Sequence, residues 1–214
     1  MAQAEAPSSE RRGRPSPLQA AEKRRAIVRA AIDLFLRLGY KDVSIRQIAQ
    51  LADVSTRTVF NMFEGKEGLL HACLQAISQD HDQRVLIEQA TLLETLETFA
   101  VNMLKTLSRP EGLGFAQLVM RDGRDMPELA LAGHASQDKQ FLQPLATYLC
   151  GHLASPAEAE PLAKIYISMV IAEWNRSMTF LLPLPSEKQC VQHAACVARI
   201  FAKAIDADQW CHST

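Results

Sequence analysis

Three short amphipathic segments follow one another between residues 27 and 63, and they constrain the fold more than any other feature of the chain. The first carries apolar side chains at the three-four spacing of a helix face, namely Ile27, Ala30, Ala31, Leu34, Phe35 and Leu38. Ser44 begins the second, with Gln47 three residues later as in a capping box. Ser55 can cap the third, whose apolar face is predicted to comprise Val59, Phe60 and Phe63. Three helices within about fifty residues, the last two joined by a tight turn, predict a helix-turn-helix.

Helical signals continue toward the carboxyl end of the chain. The first helix is predicted to start at Ser16 and Pro17 or nearer Ala21, and to stop at Gly39. A fourth helix is expected from residues 64–67, and further helices over about 84–108, 112–122, 127–150, 157–182 and 186–207, with prolines between them. Because we find no strand alternation, the predicted fold class is all-α, with an amino-terminal three-helix bundle containing the helix-turn-helix and a larger helical domain after it.

The charge of the chain is divided unevenly along its length. The whole chain of 214 residues has a net charge of -1. Residues 1–68 contain 12 Lys plus Arg against 8 Asp plus Glu, a net of +4, whereas residues 69–214 contain 11 against 16, a net of -5. A nucleic acid partner would therefore meet the amino-terminal third.

The first turn of the third helix is polar where a core helix would be apolar. In a helix-turn-helix this turn enters the major groove and touches base edges. Arg57 can pair with guanine and Asn61 with adenine through two hydrogen bonds each, while Thr56 and Thr58 can offer hydroxyls to bases or phosphates. The alternative is an ordinary solvated helix start, but that does not account for the capped helix, the tight turn and the basic surroundings that accompany it.

Residues 22–70 resemble the DNA-binding domain of the TetR family of bacterial transcriptional regulators. The resemblance is carried by AIDLFLRLGY, VSIRQIAQLADVS, TVFNMF and GKEGLL in this order and spacing. It implies that Arg46 of the second helix can reach a base and that Lys66 holds a phosphate. Ser44 and Ser55, at the two helix starts, are further candidates for contact with DNA. Residues 1–17 have no apolar periodicity, so we expect a flexible basic arm over 1–20. The resemblance implies a DNA-binding domain over 21–68 and an effector-binding and dimerisation domain over 69–208.

Several positions depart from the family pattern. Asp53 and Arg57 stand where glycines are typical, and we expect the turn to survive because Asp tolerates the left-handed conformation. Phe60 replaces the usual Tyr, and Met62 an aromatic residue or His, so two phosphate contacts are missing. The segment RRGRP at 11–15 is similar to an AT-hook core, which makes Arg12 and Arg14 candidates for the minor groove. A merely solubilising tail is the alternative for this segment.

A homodimer through residues 157–207 is predicted, since one reading helix covers only about half a turn of DNA. The family resemblance points to the same helices. The apolar side chains chosen for this interface are Leu162, Ile165, Tyr166, Met169, Val170, Val191, Ala194, Val197, Ala198, Phe201 and Ile205. The alternative is that each of them packs inside its own chain.

The resemblance also implies a small-molecule effector of unknown identity, bound between the DNA-binding domain and the last helices. Pliable Met and aromatic side chains suit such a pocket, and the candidates are Phe99, Met103, Phe115, Met120, Phe141, Tyr148, Met169 and Trp174. Plain core is the alternative for each. By implication the effector favours a form of the dimer that misfits DNA and so releases the operator.

Other classes of protein are less well supported. A thiol- or metal-responsive regulator of the same fold is suggested by Cys190, His193 and Cys196 and by Cys211 with His212, although steps of three residues drift about 60° around a helix and cannot all converge. A helical interaction module that does not bind DNA is the other alternative. Phosphate-binding glycine loops and hydrolase motifs are missing, so an enzyme is not expected, nor a cofactor or metal. With no signal peptide, no bilayer-spanning run and scattered cysteines, we expect a cytoplasmic protein with reduced thiols and no membrane partner.

Overall fold

The computed structural model describes residues 17–79, 86 and 88–211, with side chains described for 17–77, 86 and 88–205. All regular structure in these residues is helical, in agreement with the predicted fold class. Across the same residues, no helix combines the length and the apolar character needed to cross a bilayer.

The amino-terminal helices are α1 (Pro17–Leu38), α2 (Ile45–Leu51), α3 (Thr56–Phe63) and α4 (Lys66–Gln79). α1 begins at Pro17, the earlier of the two predicted starts, so residues 17–20 of the expected arm are helical. The predicted capping box of α2 is present: Ser44 Oγ accepts the Gln47 N–H at 3.3 Å, and Gln47 Oε1 accepts the Ser44 N–H at 2.7 Å. Local signals therefore predict where α1 and α2 begin.

The helices that follow are α5 (Leu92–Leu107), α6 (Pro110–Asp122), α7 (Pro127–Gln137), α8 (Gln143–Cys150), α9 (Ala159–Val170), α10 (Ala172–Phe180) and α11 (Glu187–Cys211). A π-helical turn, Asp138–Leu142, joins α7 to α8, and a 3₁₀ turn, Pro156–Glu158, precedes α9. The single helices predicted over 127–150 and 157–182 are thus interrupted, the second at Ile171.

The prediction that the fifth helix starts near residue 84 is wrong. α5 starts at Leu92, and residues 88–90 are not helical. Thr91 is its N-cap: its Oγ accepts the Glu94 N–H at 3.2 Å, and Glu94 Oε2 accepts the Thr91 N–H at 3.1 Å. The sequence TLLE at 91–94 matches the capping-box pattern, so the sequence itself indicates the observed start of α5.

The described residues form two hydrophobic cores. The first is built by α1 to α4, and it also includes Phe115 and Leu118 of α6 and Leu129 and Ala132 of α7. The second is built by α5, the π turn and α8 to α11. The domain boundary predicted after residue 68 falls inside α4, whose Leu69 and other apolar side chains are buried in the first core. That core takes side chains from both predicted domains, so α4 packs against α1 of the first and α7 of the second.

Candidate DNA-binding surface

The short helix α3 presents its polar side chains to solvent and its apolar ones to the core. Thr56, Arg57 and Asn61 are exposed. Val59 is fully buried and Phe63 is 4% exposed, which fixes the opposite side of the helix. The arrangement leaves the predicted base-reading side chains free to reach outward from a fixed helix.

Ser55 orders the start of α3. Its Oγ accepts the Thr58 N–H at 3.1 Å and lies 2.8 Å from Thr58 Oγ1. Both hydroxyls are therefore engaged within the cap, and Thr58 is half-buried. A capping serine stabilises a helix by about 0.5–2 kcal/mol relative to alanine. The first role of this pair is to build the helix start, and any contact with DNA is additional.

Phe60 does not help to anchor α3, contrary to the prediction from its apolar character. Its side chain is 52% exposed. Val59 and Phe63 are four residues apart and share one side of the helix, whereas Phe60 lies about 100° around it, beside Arg57 and Asn61. An aromatic ring thus stands on the polar side of the reading helix.

Tight backbone turns fix α3 against its neighbours. Asp53 has φ 52°, so the left-handed turn expected at this position is present without glycine. At the other end Glu64 and Gly65 have φ 60° and 132°. A Cβ on Gly68 would overlap the carbonyl oxygen of Phe63, so the start of α4 touches the end of α3 backbone to backbone.

Arg24 joins α1 to the end of α3, a contact that sequence reasoning missed. Its Nη1 donates to the Met62 carbonyl at 3.2 Å, and its Cζ lies 4.5 Å from the centre of the Phe63 ring. A guanidinium over an aromatic ring is attracted to it by about 0.5–1 kcal/mol at exposed sites. Because the partners are 38 residues apart, no local pattern could have indicated the contact.

Lys66 is more constrained than a free phosphate-binding lysine. Its Nζ donates to the Lys41 carbonyl at 3.3 Å and lies 4.4 Å from the centre of the Tyr40 ring. Burial lowers the pKa of the Lys66 ammonium, while the carboxylates of Glu128 and Asp42 raise it. The same burial raises the pKa of Tyr40 to about 12, so its hydroxyl stays neutral. An ammonium has three hydrogens, and one carbonyl leaves others available for a phosphate.

The remaining predicted DNA contacts are distributed around this helix pair. Ser44 and Arg46 are exposed at the start of α2. Arg12 and Arg14 lie outside the described residues. Between residues 17 and 79 there are 9 Lys plus Arg against 6 Asp plus Glu, a net of +3, so the bundle remains basic without the arm.

The residues predicted to line an effector pocket are not gathered in one place. Phe99, Met103 and Phe141 are buried in the second core, where Tyr148 and Met169 pack against it. Phe115 belongs instead to the first core, and Met120 is 55% exposed. A cavity of about 540 Å³ lies between α5, α9, α10 and the start of α11; of the eight predicted residues, it is lined by Trp174.

Most of the side chains predicted for a dimer interface are buried within their own chain. Tyr166 is fully buried and donates its hydroxyl to the Leu96 carbonyl at 2.8 Å. The other predicted interface residues that are buried are Val170, Ala194, Val197, Ala198, Phe201 and Ile205. At these positions the alternative of an intramolecular core is correct. Exposed apolar side chains of the same region are Ile165, Phe180, Leu181, Leu182, Val191 and Ile200.

The cysteine and histidine residues of α11 face different partners. His193 Nε2 lies 2.9 Å from the Met169 carbonyl, and Cys190 Sγ lies 3.7 Å from the Pro185 carbonyl. Cys196 is exposed. Within the described part of the chain, no group of three or more His, Cys, Asp or Glu is placed to hold a metal ion. The side chains of Cys211 and His212 lie outside that part.

Comparison with known proteins identifies transcriptional regulators that are similar to this chain. A family model described as bacterial regulatory proteins, tetR family, matches residues 27–73. The HTH-type transcriptional regulator SrpR of Pseudomonas putida is 28% identical over 131 residues, so the match spans 61% of each chain. The uncharacterized HTH-type transcriptional regulator YvkB of Bacillus subtilis strain 168 is 24% identical over 85% of this chain and 96% of its own. A solved structure, the flavonoid-responsive regulator FrrA, is 25% identical with a TM-score of 0.70, covering 86% of this chain and 97% of its own.

Proposed function

Because this chain belongs to the TetR family of DNA-binding transcriptional regulators, a family of regulators rather than enzymes, we propose that it is a cytoplasmic homodimeric repressor. In this proposal it binds a palindromic operator and leaves it when a small molecule binds. The exposed first turn of α3 carries the proposal. Arg57 and Asn61 project from a helix whose other side, at Val59 and Phe63, is buried.

Base reading is assigned to Arg57 and Asn61, with Arg46 of α2 reaching the same groove. Arg57 suits guanine and Asn61 suits adenine, each with two hydrogen bonds. Thr56 and the exposed ring of Phe60 supply apolar atoms that fit a thymine methyl group. Ser44, Ser55 and Lys66 lie at the helix starts, where backbone N–H groups favour a phosphate.

Dimerisation is assigned to the outer surface of α9, α10 and α11. Ile165 and Ile200 are 53% and 55% exposed, and a monomer would leave both in water. A two-fold dimer places its two reading helices in successive turns of the major groove, about 34–36 Å apart. The operator is therefore expected to be a palindrome.

The effector is assigned to the cavity beside Trp174. Its volume, about 540 Å³, suits a small molecule, because such sites measure about 300–1,000 Å³. The similar protein FrrA is named as a flavonoid-responsive regulator, which supports a small-molecule effector here. An effector that favours the DNA-misfitting form lowers operator affinity by about 5 to 150-fold at typical coupling energies. α4 transmits the change, since the first core holds it against α1 and α7.

Selection of duplexes from a random library, followed by a gel shift of the selected site, tests the DNA assignment. We expect a palindromic consensus, and Arg57→Ala should relax the choice of base at one position in each half-site while the protein stays folded. A protein that retains no duplex at low salt would contradict the proposal.

Light scattering at micromolar concentration tests the dimer. The double variant of Ile165→Asp with Ile200→Asp should be monomeric, because it places carboxylates in the assigned interface. Leu131→Asp is the matched control, since Leu131 is 70% exposed on α7, outside that surface. A monomeric wild type, or a double variant that remains dimeric, would refute the assignment.

A further inference from the structure

A second cavity, of about 450 Å³, lies between the DNA-binding bundle and the turn that joins α5 to α6. α1 and α4 supply one side of it, and Thr106, Arg109 and Gly112 belong to the other. The cavity is large enough for a small molecule, whose sites measure about 300–1,000 Å³. A ligand held there would touch the DNA-binding bundle and the carboxy-terminal helices together.

The lining of this cavity combines positively charged side chains with apolar ones. It contains four arginines, Arg24, Arg25, Arg29 and Arg109, and one acidic residue, Glu111, which gives a formal charge of 4 - 1 = +3. The apolar lining residues are Val28, Ile32, Ala72, Ala76 and Ile77. This composition is complementary to a molecule that has an anionic head and an apolar tail. The lining of the cavity beside Trp174 has a different composition.

One arginine of the lining, Arg109, has a donor that lacks a hydrogen-bond partner among the described residues. It is the N-cap residue of α6, yet its side chain makes no capping hydrogen bond. Among the described residues its Nη1 is buried and has no hydrogen-bond partner. A charged donor that loses water without gaining an acceptor is unfavourable, and such groups are rare in native proteins. A planar guanidinium matches the two oxygens of a carboxylate or phosphate.

We propose that this cavity binds an amphipathic anion, a carboxylate or phosphate with an apolar tail, and that Arg109 anchors the head group. Arg29 and its neighbours on α1 supply further positive charge at the rim, where they are exposed. The tail packs against Ile32 and Ile77. This binding site is separate from the effector cavity assigned above.

Arg24 links the site to the reading helix. The same side chain lines the cavity and donates to the Met62 carbonyl at the end of α3. A head group that attracts Arg24 competes with this contact and with the stacking on Phe63. Binding of the anion is therefore expected to weaken operator binding, and this consequence rests on the proposed function.

Isothermal titration calorimetry of the full chain with octanoate, octyl phosphate and octanol tests the site. The three probes share a tail and differ in the head group, so they separate a carboxylate site from a phosphate site and from a purely apolar one. We expect at least one of the two anions to bind at least about tenfold more tightly than octanol, the low end for a hydrogen bond to a charged group. Equal affinity for octanol, or no binding of either anion, would overturn the proposal.

Variants locate the binding. Arg109→Gln should lower the binding affinity for the anion by about tenfold or more, because it removes at least one hydrogen bond to a charged group. Arg176→Gln is the matched control, because Arg176 lines the other cavity, and it should leave the affinity unchanged. The reverse result would place the anion beside Trp174 and refute the site. Should circular dichroism show that Arg109→Gln is unfolded, Arg29→Gln replaces it, since Arg29 is exposed; an unchanged affinity in that variant would count against the site.

A gel shift with the selected operator gives the last measurement. The anion should weaken operator binding by the wild type and not by Arg109→Gln. A ligand-independent loss of operator binding in Arg109→Gln would instead make Arg109 a DNA contact and overturn its role as an anchor. The calorimetry needs no DNA, so its result stands even if the proposed function fails.

Discussion

Phe60 and Phe63 form a matched pair for testing the orientation of α3, because the same substitution can be made one turn apart on one helix. Phe63 is 4% exposed and Phe60 is 52% exposed. Truncating a buried phenylalanine to alanine costs about 3–5 kcal/mol. Phe63→Ala also removes the ring beneath Arg24, a contact worth about 0.5–1 kcal/mol.

Phe60→Ala should cost much less stability. Complete burial of such a side chain contributes about 1.5–3 kcal/mol, so a ring that is half in water contributes about 1 kcal/mol. With the lost contact to Arg24 included, the expected difference between the two variants is about 2.5–5 kcal/mol, or several degrees in the melting temperature. Phe60→Ala should instead weaken operator binding, since its ring stands beside Arg57 and Asn61 on the exposed side of the helix.

Urea denaturation followed by far-ultraviolet circular dichroism measures the free energy of unfolding of both variants. Protein concentration must be equal in all samples, because the stability of a dimer depends on it. The slope of the free energy against urea should be the same for both, so that the midpoints report stability alone. Equal losses in Phe60→Ala and Phe63→Ala would mean that both rings are packed, and the outward orientation of the reading side chains would be refuted.

Three further predictions concern the same bundle. Arg57→Ala should leave stability within about 0.5 kcal/mol, as surface substitutions do, and reduce operator affinity by about 1–3 kcal/mol per half-site, measured by gel shift. Gly68→Ala should destabilise the chain by about 1–3 kcal/mol, although alanine normally favours a helix, because its Cβ would overlap the Phe63 carbonyl oxygen; a thermal melt with a raised midpoint would contradict the contact. Burial raises the pKa of the Cys73 thiol to about 12, so it should resist iodoacetamide at pH 8 while exposed Cys196 reacts, as mass spectrometry can show. The sign follows from the raised pKa: the stability it represents is complete below about pH 9 and is lost as the pH rises toward 12.

The helix starts and turns of the amino-terminal domain were predictable because they depend on residues within one turn of each other. Ser44 with Gln47 and Ser55 with Thr58 make their hydrogen bonds three residues apart. Asp53 takes up the left-handed conformation of the turn itself. The start of α5 at Leu92 belongs to the same class, because its capping box joins Thr91 and Glu94, three residues apart.

The side on which an apolar residue is buried could not be read so reliably. Phe60 and Phe63 have the same side chain, and the periodicity of an eight-residue helix does not distinguish them. Likewise Tyr166 and Ile165 are neighbours in a helix predicted to form an interface, yet one is buried in the chain and the other is exposed. Which side chain contacts a neighbouring helix depends on how whole helices are packed. That packing involves residues distant in the sequence.

Local chemistry therefore accounts for the all-helical architecture and the polar turn at Thr56, since caps, periodicity and turns involve neighbouring residues and short-range hydrogen bonds. Tertiary packing accounts for the contact of Arg24 with Met62 and for the cavity around Arg109. The first joins residues 38 positions apart, and the second brings α1 and α4 together with the turn between α5 and α6. The energies of both arise from burial and charge that exist only once the helices have come together.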